Sequence, residues 1–171
     1  TRSDPGVEAI VVQDLPLAAQ VAQGWAGSHT VSPPLHPRVS RATFQVHAAR
    51  RGVVSRAVWT HPDGDENNAN YLVLEDTTTS PTTYQLYLHF SQDSIPQDLR
   101  VIGAHVSRGQ FIGVADDTGV SSGNHLHFHV HTYPYSYWGA SVDITFDDVS
   151  INGGRPRISS DLPYCKDTDV C

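Results

Sequence analysis

The chain contains no methionine, only two cysteines, and 11 lysine and arginine residues against 18 aspartates and glutamates. Each shortage excludes something. A net charge of −7 with no basic stripe argues against a nucleic-acid partner, whose phosphates would need neutralising. No apolar run approaches the roughly 18 residues of a membrane span, so a soluble globular chain is expected. A translation product starts with methionine, so the opening "TRSDPG" suggests a removed leader or a trimmed chain, with no signal peptide left to read. Helix-favouring composition is confined to "LPLAAQVAQGWAG" (15–27), which is short and interrupted by Gly24. At 171 residues, the length suits one domain with a sizeable core.

The two cysteines, Cys165 and Cys171, lie in the polar tail "CKDTDVC". A disulfide between them would close a small loop worth roughly 2 kcal/mol by the chain-entropy argument. Free thiols are the alternative. Exposed thiols in a polar tail have little reason to stay unpaired in an oxidising compartment, so the pairing is expected. Export to an extracellular or periplasmic location is expected with it.

Strand signals are plentiful. Alternation, β-branched residues and aromatics mark 44–49, 52–60, 70–76, 82–90, 109–116, 125–133 and 141–146 as strands. Turn-forming clusters separate them at 61–70, 76–82, 116–124 and 152–156. This spacing predicts an all-β antiparallel sandwich or distorted barrel with long loops and little helix. The Pro-rich stretch 28–42 reads as a loop crossing the sheet. Residues 1–27 are expected to pack on a β domain spanning 28–150, and 151–171 to form a meandering tail.

The most informative stretch is "GNHLHFHVH" (123–131), with His125, His127, His129 and His131 at every second position. On a strand these four share one face, and Leu126, Phe128 and Val130 share the other. Same-face neighbours stand roughly 7 Å apart, so two of them can serve one small site while four cannot ligate one ion. Periodicity alone leaves open whether this is a metal site or a solvated polar face.

The flanking residues are more specific. "GVSSGNHLHFHV" (119–130) resembles the "G-x-S-T-G-x-H-L-H-F-x-V" signature of the M23 metallopeptidases, the lysostaphin-like and LytM-like zinc endopeptidases of peptidoglycan. Upstream, "VHAARRGVV" (46–54), "NYLVLED" (70–76), "YQLYLHFS" (84–91) and "VIGAHVSRGQFIGVADDTG" (101–119) resemble further motifs of that family, in its order. The resemblance implies the lysostaphin-like β fold, one Zn2+, and hydrolysis of peptide bonds in peptidoglycan or a related extracellular peptide. Carried over residue by residue, it makes His127 a metal ligand and His89 and His125 the catalytic pair. "QGWAGSHT" (23–30) resembles the start of the family's first ligand motif and makes His29 the first ligand.

The chain also departs from the pattern. The family's ligand aspartate is missing, with no carboxylate between Asp14 and Asp63; His36 is the nearest substitute. A His29, His36, His127 triad of neutral imidazoles is a legitimate zinc site, with one less negative charge than the family's own. The other reading is an inactive domain of the same fold, its metal site degenerate, serving as a binding, activator or assembly module. Asp76 replaces a family histidine, Arg51 a turn aspartate, Ala115 and Asp116 stand where glycine is common, and His129 where glutamate is frequent. The expected partner is a cell-wall peptide or an extracellular protein; the oligomeric state is open.

The remaining candidates read blandly. His47, His61 and His105 are expected at the surface or in turns, and His129 and His131 as bystanders extending the polar face. Asp63, Asp65 and Asn67 have a one-three-five spacing like that of calcium loops, but lack the later glycine and bidentate glutamate, so a solvated hairpin turn is expected rather than Ca2+. The acidic "DITFDD" (143–148) is expected to guard an edge strand.

Overall fold

The computed structural model describes residues 21–22, 43–121, 123–134 and 142. The chain runs through β1 (Val21–Ala22), β2 (Phe44–His47), β3 (Gly52–Val58), β4 (Tyr71–Asp76) and β5 (Thr83–Leu88). A single 3-10 turn (Gln97–Arg100) follows, then β6 (His105–Val106), β7 (Phe111–Ala115) and β8 (Leu126–His131). The fold is all-β, as the alternation predicts. Six strands form one sheet in the order β1-β8-β5-β4-β3-β6, and β2 and β7 form a second. Among the described residues no helix is long and apolar enough to cross a membrane.

Period-two alternation explains how the two sheets face each other. The β4–β5 and β5–β8 registers set Leu72 beside Tyr87 and Tyr87 beside Phe128. These side chains, with Leu74, Leu126 and Val130, point toward β2 and β7, where Phe44, Val46, Ile112 and Ala115 close the main core. Burying a side chain of this size stabilises by roughly 1.5–3 kcal/mol, so this layer dominates the fold. Polar atoms within it are paired. The Tyr87 hydroxyl donates to Gln85 Oε1 (2.8 Å) and accepts from the Ala49 backbone N–H (2.8 Å), tying β5 to the β2–β3 turn.

The opposite face of the large sheet is less apolar but also buried. Val73, Tyr84 and Leu86 form its own small cluster, with Tyr71 and Leu88 packed against it. The histidines of β8 lie on this face, because Leu86 pairs with His129 and Tyr84 with His131. His129 is 4% exposed and His131 fully buried. The expectation that these two extend a wet polar face is therefore corrected. His131 instead stacks on Tyr84, ring centroids 5.6 Å apart.

Two further stretches are described only in part. The helix-favouring stretch 15–27 contributes an extended pair, Val21–Ala22, and not a helical turn among its described residues. That pair runs parallel to β8, with Val21 beside Leu126 and Ala22 beside His127, the one parallel pairing among the described strands. Apart from Val142, whose N–H donates to Val130 O (2.9 Å), the strand expected at 141–146 lies outside the described residues. So do the 28–42 loop, the 143–148 edge and the tail with Cys165 and Cys171.

Candidate functional site

His89, His125 and His127 come together from two neighbouring strands. Leu88, the last residue of β5, pairs with His127 on β8, so the next residue, His89, sits at the mouth of this strand pair. The sequence places His89 inside a strand, but β5 ends one residue earlier because His89 adopts φ 70°. That left-handed conformation is uncommon outside glycine and turns the imidazole toward β8. The His89 and His125 ring centroids are 4.4 Å apart, and those of His89 and His127 are 6.0 Å apart.

The loop between β7 and β8 holds the pair. His89 Nδ1 lies 2.6 Å from the Thr118 carbonyl, and His125 Nδ1 lies 2.8 Å from the Gly123 carbonyl. A carbonyl only accepts, so each Nδ1 must carry the proton. Both rings then present their lone pair on Nε2. Asp116 links the two backbones: its N–H donates to the His89 carbonyl (2.6 Å) and its carbonyl accepts from the His125 N–H (3.1 Å). Ser121 Oγ, 3.2 Å from His125 Nδ1, also donates to the Gly123 carbonyl (2.7 Å) and steadies that anchor.

Thr118 is itself fixed. Its hydroxyl donates to the Phe90 carbonyl (2.9 Å) and accepts from the Asn70 N–H (3.0 Å). The buried Asn70 side chain accepts from the His61 N–H (2.9 Å) and donates to the His61 and Phe90 carbonyls. These contacts explain the "N-Y" at the start of β4 as a brace for the β7–β8 loop.

Burial keeps the three imidazoles neutral at pH 7. Desolvation lowers the pKa of His89 to about 4, with the neighbouring His125 adding to the effect and the Thr118 carbonyl and Asp117 opposing it. Desolvation also lowers that of His125, against the Gly123 carbonyl and Asp117. His127 is pushed to about 3 by desolvation first and then by His129, His89 and His125. Neutral imidazoles of this kind serve equally as proton acceptors and as metal ligands.

Of the expected metal shell, His127 fits as a neutral nitrogen donor beside His89 and His125. His29 and His36 lie outside the described residues. Among the described residues, no three His, Cys, Asp or Glu side chains are grouped to hold an ion. The carboxylates of the 61–70 loop are used locally: Asp63 accepts from the Gln92 N–H (2.6 Å), and Asp65 Oδ1 from the Asn67 and Asn68 N–H groups (2.8 and 3.0 Å). Asp76 pairs with Arg50 (3.3 Å) and caps Thr78 at the β4–β5 turn, away from the histidines. His47, on β2, reaches the Gly109 carbonyl (2.9 Å), His61 lies beside Asp65, and His105 is exposed on β6.

Sequence reasoning finds all three clustered histidines and misses Thr118, Gly123 and Asp116. Those three act through backbone atoms, which leave no residue-type signal. Only the turn composition of "DDTGVSSGN" marks the loop they occupy.

Solved structures similar to this chain include three peptidases. One is a putative glycyl-glycine endopeptidase, lytM, from Ruminococcus gnavus (18% identity, 68% of this chain and 40% of that one, TM-score 0.41). Another is a zinc-containing peptidase from Vibrio cholerae (32% identity, 61% and 27%, TM-score 0.41). The third is the catalytic domain of the antimicrobial peptidase lysostaphin from Staphylococcus simulans (23% identity, 59% and 71%, TM-score 0.41). The chain thus spans less than half the length of the first two. Among curated proteins nothing matches. The model of peptidase family M23 matches residues 38–143, more than half the chain and a span that contains the whole histidine cluster. The chain therefore belongs to peptidase family M23.

Proposed function

We propose that this chain is a zinc metalloendopeptidase domain that works outside the cytoplasm and cleaves peptide bonds in peptidoglycan or a related extracellular peptide. The observation that carries this reading is the paired anchoring of His89 and His125, whose Nδ1 protons are engaged by the Thr118 and Gly123 carbonyls. Two neutral imidazoles 4.4 Å apart, each with a basic Nε2, form a proton-handling pair and not merely a polar surface. Family membership supports peptide-bond hydrolysis. The cell-wall substrate rests on the similarity of "GVSSGNHLHFHV" to the peptidoglycan-cleaving members of the family.

His127 would hold the zinc, with His29 and His36 completing the shell. Zinc bound there supplies Lewis acidity to the scissile carbonyl and to the attacking water. His125 or His89 takes a proton from that water on Nε2 and returns one to the departing amine. The carbonyl anchors keep each ring in the tautomer that can do this. The low pKa values keep both rings unprotonated at neutral pH, ready to accept.

A second reading is supported by the missing ligand aspartate: an inactive M23 domain that binds wall peptide or a partner protein. Elemental analysis of protein purified without added metal, together with a panel of glycyl- and alanyl-linked wall peptides, separates the two. One zinc per chain, lost in His127→Ala, with cleavage lost in His89→Ala, supports the peptidase. Well under one zinc per chain and no cleavage of any peptide sinks it and leaves the binding module.

A further inference from the structure

One contact of the histidine strand plays no part in the proton chemistry above. His127 Nε2 and His129 Nδ1 lie 3.0 Å apart, with the two rings edge to face at a centroid separation of 5.2 Å. Same-face side chains on a strand start roughly 7 Å apart, so these rings lean toward each other instead of projecting in parallel. His129 is buried, and its far side is covered by His131 at a centroid separation of 5.2 Å.

Two imidazole nitrogens at hydrogen-bond distance need one proton between them. If His129 Nδ1 supplies it, the lone pair of His127 is on Nε2, already engaged, and its Nδ1 is protonated. In that arrangement His127 cannot ligate a cation without breaking the contact. If His127 Nε2 supplies the proton, its lone pair is on Nδ1, on the side of the ring turned away from His129.

We propose that His129 is a positioning residue for His127: His129 Nδ1 accepts the Nε2–H of His127, which fixes the ring and puts its lone pair on Nδ1 for the metal. This rests on the reading of His127 as a ligand. Histidine ligands generally donate their second N–H to an acceptor that orients them, often a carboxylate. Here the acceptor is a neutral imidazole, which orients the ligand without adding negative charge.

The test begins with metal-free protein labelled with 15N in histidine, whose tautomers are read at neutral pH by long-range 1H–15N correlation. The expected result is a single Nε2–H tautomer for His127. An Nδ1–H tautomer overturns the proposal whether or not metal binds. The second measurement is zinc affinity. His129→Leu is expected to lower it about 10- to 100-fold, and His129→Asn, which puts an amide oxygen near the Nδ1 position, to restore most of the loss. Unchanged affinity in a folded His129→Leu variant overturns the proposal. So does direct coupling between 113Cd and a His129 nitrogen in cadmium-loaded protein, which would make His129 a ligand. If His129→Leu does not fold, the tautomer in the parent protein decides. Unchanged zinc binding in His127→Ala defeats the ligand reading itself, a failure distinct from the others.

Discussion

His89 and His125, 36 positions apart in the sequence, are held by carbonyls of one loop: Nδ1 of the first by Thr118 at 2.6 Å, Nδ1 of the second by Gly123 at 2.8 Å. This shared anchor makes the two rings one unit. Removing either is expected to lower kcat on a glycyl or alanyl peptide by about 10²- to 10⁴-fold, the usual worth of a positioned acid–base group. Zinc content should not change, since neither ring is assigned to the metal. The double variant should be little worse than the more damaging single one, as for groups that act together. Steady-state kinetics with metal analysis on His89→Ala, His125→Ala and the pair checks this. A single variant retaining activity within tenfold of the parent would count against it.

Gly119 follows Thr118 and fixes how that carbonyl is presented. It adopts φ +84°, and a Cβ there would lie 2.6 Å from the Ala69 Cβ and 3.1 Å from the Ala69 Cα. Gly119→Ala therefore combines a left-handed backbone penalty with a backbone clash. We expect a loss of about 3 kcal/mol in stability, with reduced activity as Thr118 shifts. Gly64 gives the contrast: φ is +78°, but nothing lies within 4 Å of an added Cβ. Gly64→Ala should cost only about 1 kcal/mol. Urea midpoints of the two variants compare them directly, and equal losses would mean that the close approach to Ala69 carries no energetic weight.

The sequence made the strands legible wherever a period of two ran for several residues, and β2, β3, β4, β5, β7 and β8 all lie within the predicted ranges. The two-residue elements Val21–Ala22 and His105–Val106 are too short to carry a period. The histidine face of β8 was misread for a different reason. Alternating polar and apolar residues look half-solvated, and nothing in "HLHFHVH" reports that Tyr84 stacks on His131 or that Leu86 lies beside His129. The pairing of His89 with His125 was legible as side chains. Its anchoring was not, because the Thr118 and Gly123 contacts are carbonyls and Asp116 joins the two histidines through its backbone.

Asn70 connects the fold to the site. Fully buried, its side chain accepts from the His61 N–H, while its Nδ2 donates to the His61 and Phe90 carbonyls. Asn70→Leu leaves the partly buried His61 N–H and carbonyl without this partner, while the Phe90 carbonyl keeps the Thr118 hydroxyl, and each group left unsatisfied costs about 1–3 kcal/mol. A total loss of about 2–4 kcal/mol is expected, with peptidase activity falling as the Thr118 brace loosens. Thermal or urea unfolding checks the first part, and a loss under about 0.5 kcal/mol would remove Asn70 from that role.

Acid should destabilise the metal-free chain at a pH where carboxylates are still ionised. His89 titrates at about 4 in the folded protein against 6.5 for an ordinary histidine, and burial lowers His125 and His131 in the same direction. Between these values the unfolded chain binds protons that the folded chain does not, so stability rises with pH. The contribution of His89 is fully present above pH 6.5, is lost as pH falls, and levels off near 4. Across that window it amounts to about 3 kcal/mol. Asp116, whose carboxyl is raised mainly by desolvation, works in the opposite sense in the carboxylate range and flattens the acid end. His131 offers a probe outside the His89–His125 pair, because a phenyl ring can keep its stack on Tyr84. His131→Phe should reduce the slope of stability against pH between 6.5 and 5 while leaving peptide cleavage unchanged. Urea unfolding of both proteins at several pH values measures those slopes, and a flat parent profile from pH 7 to 5 would show that these rings are not held neutral by burial.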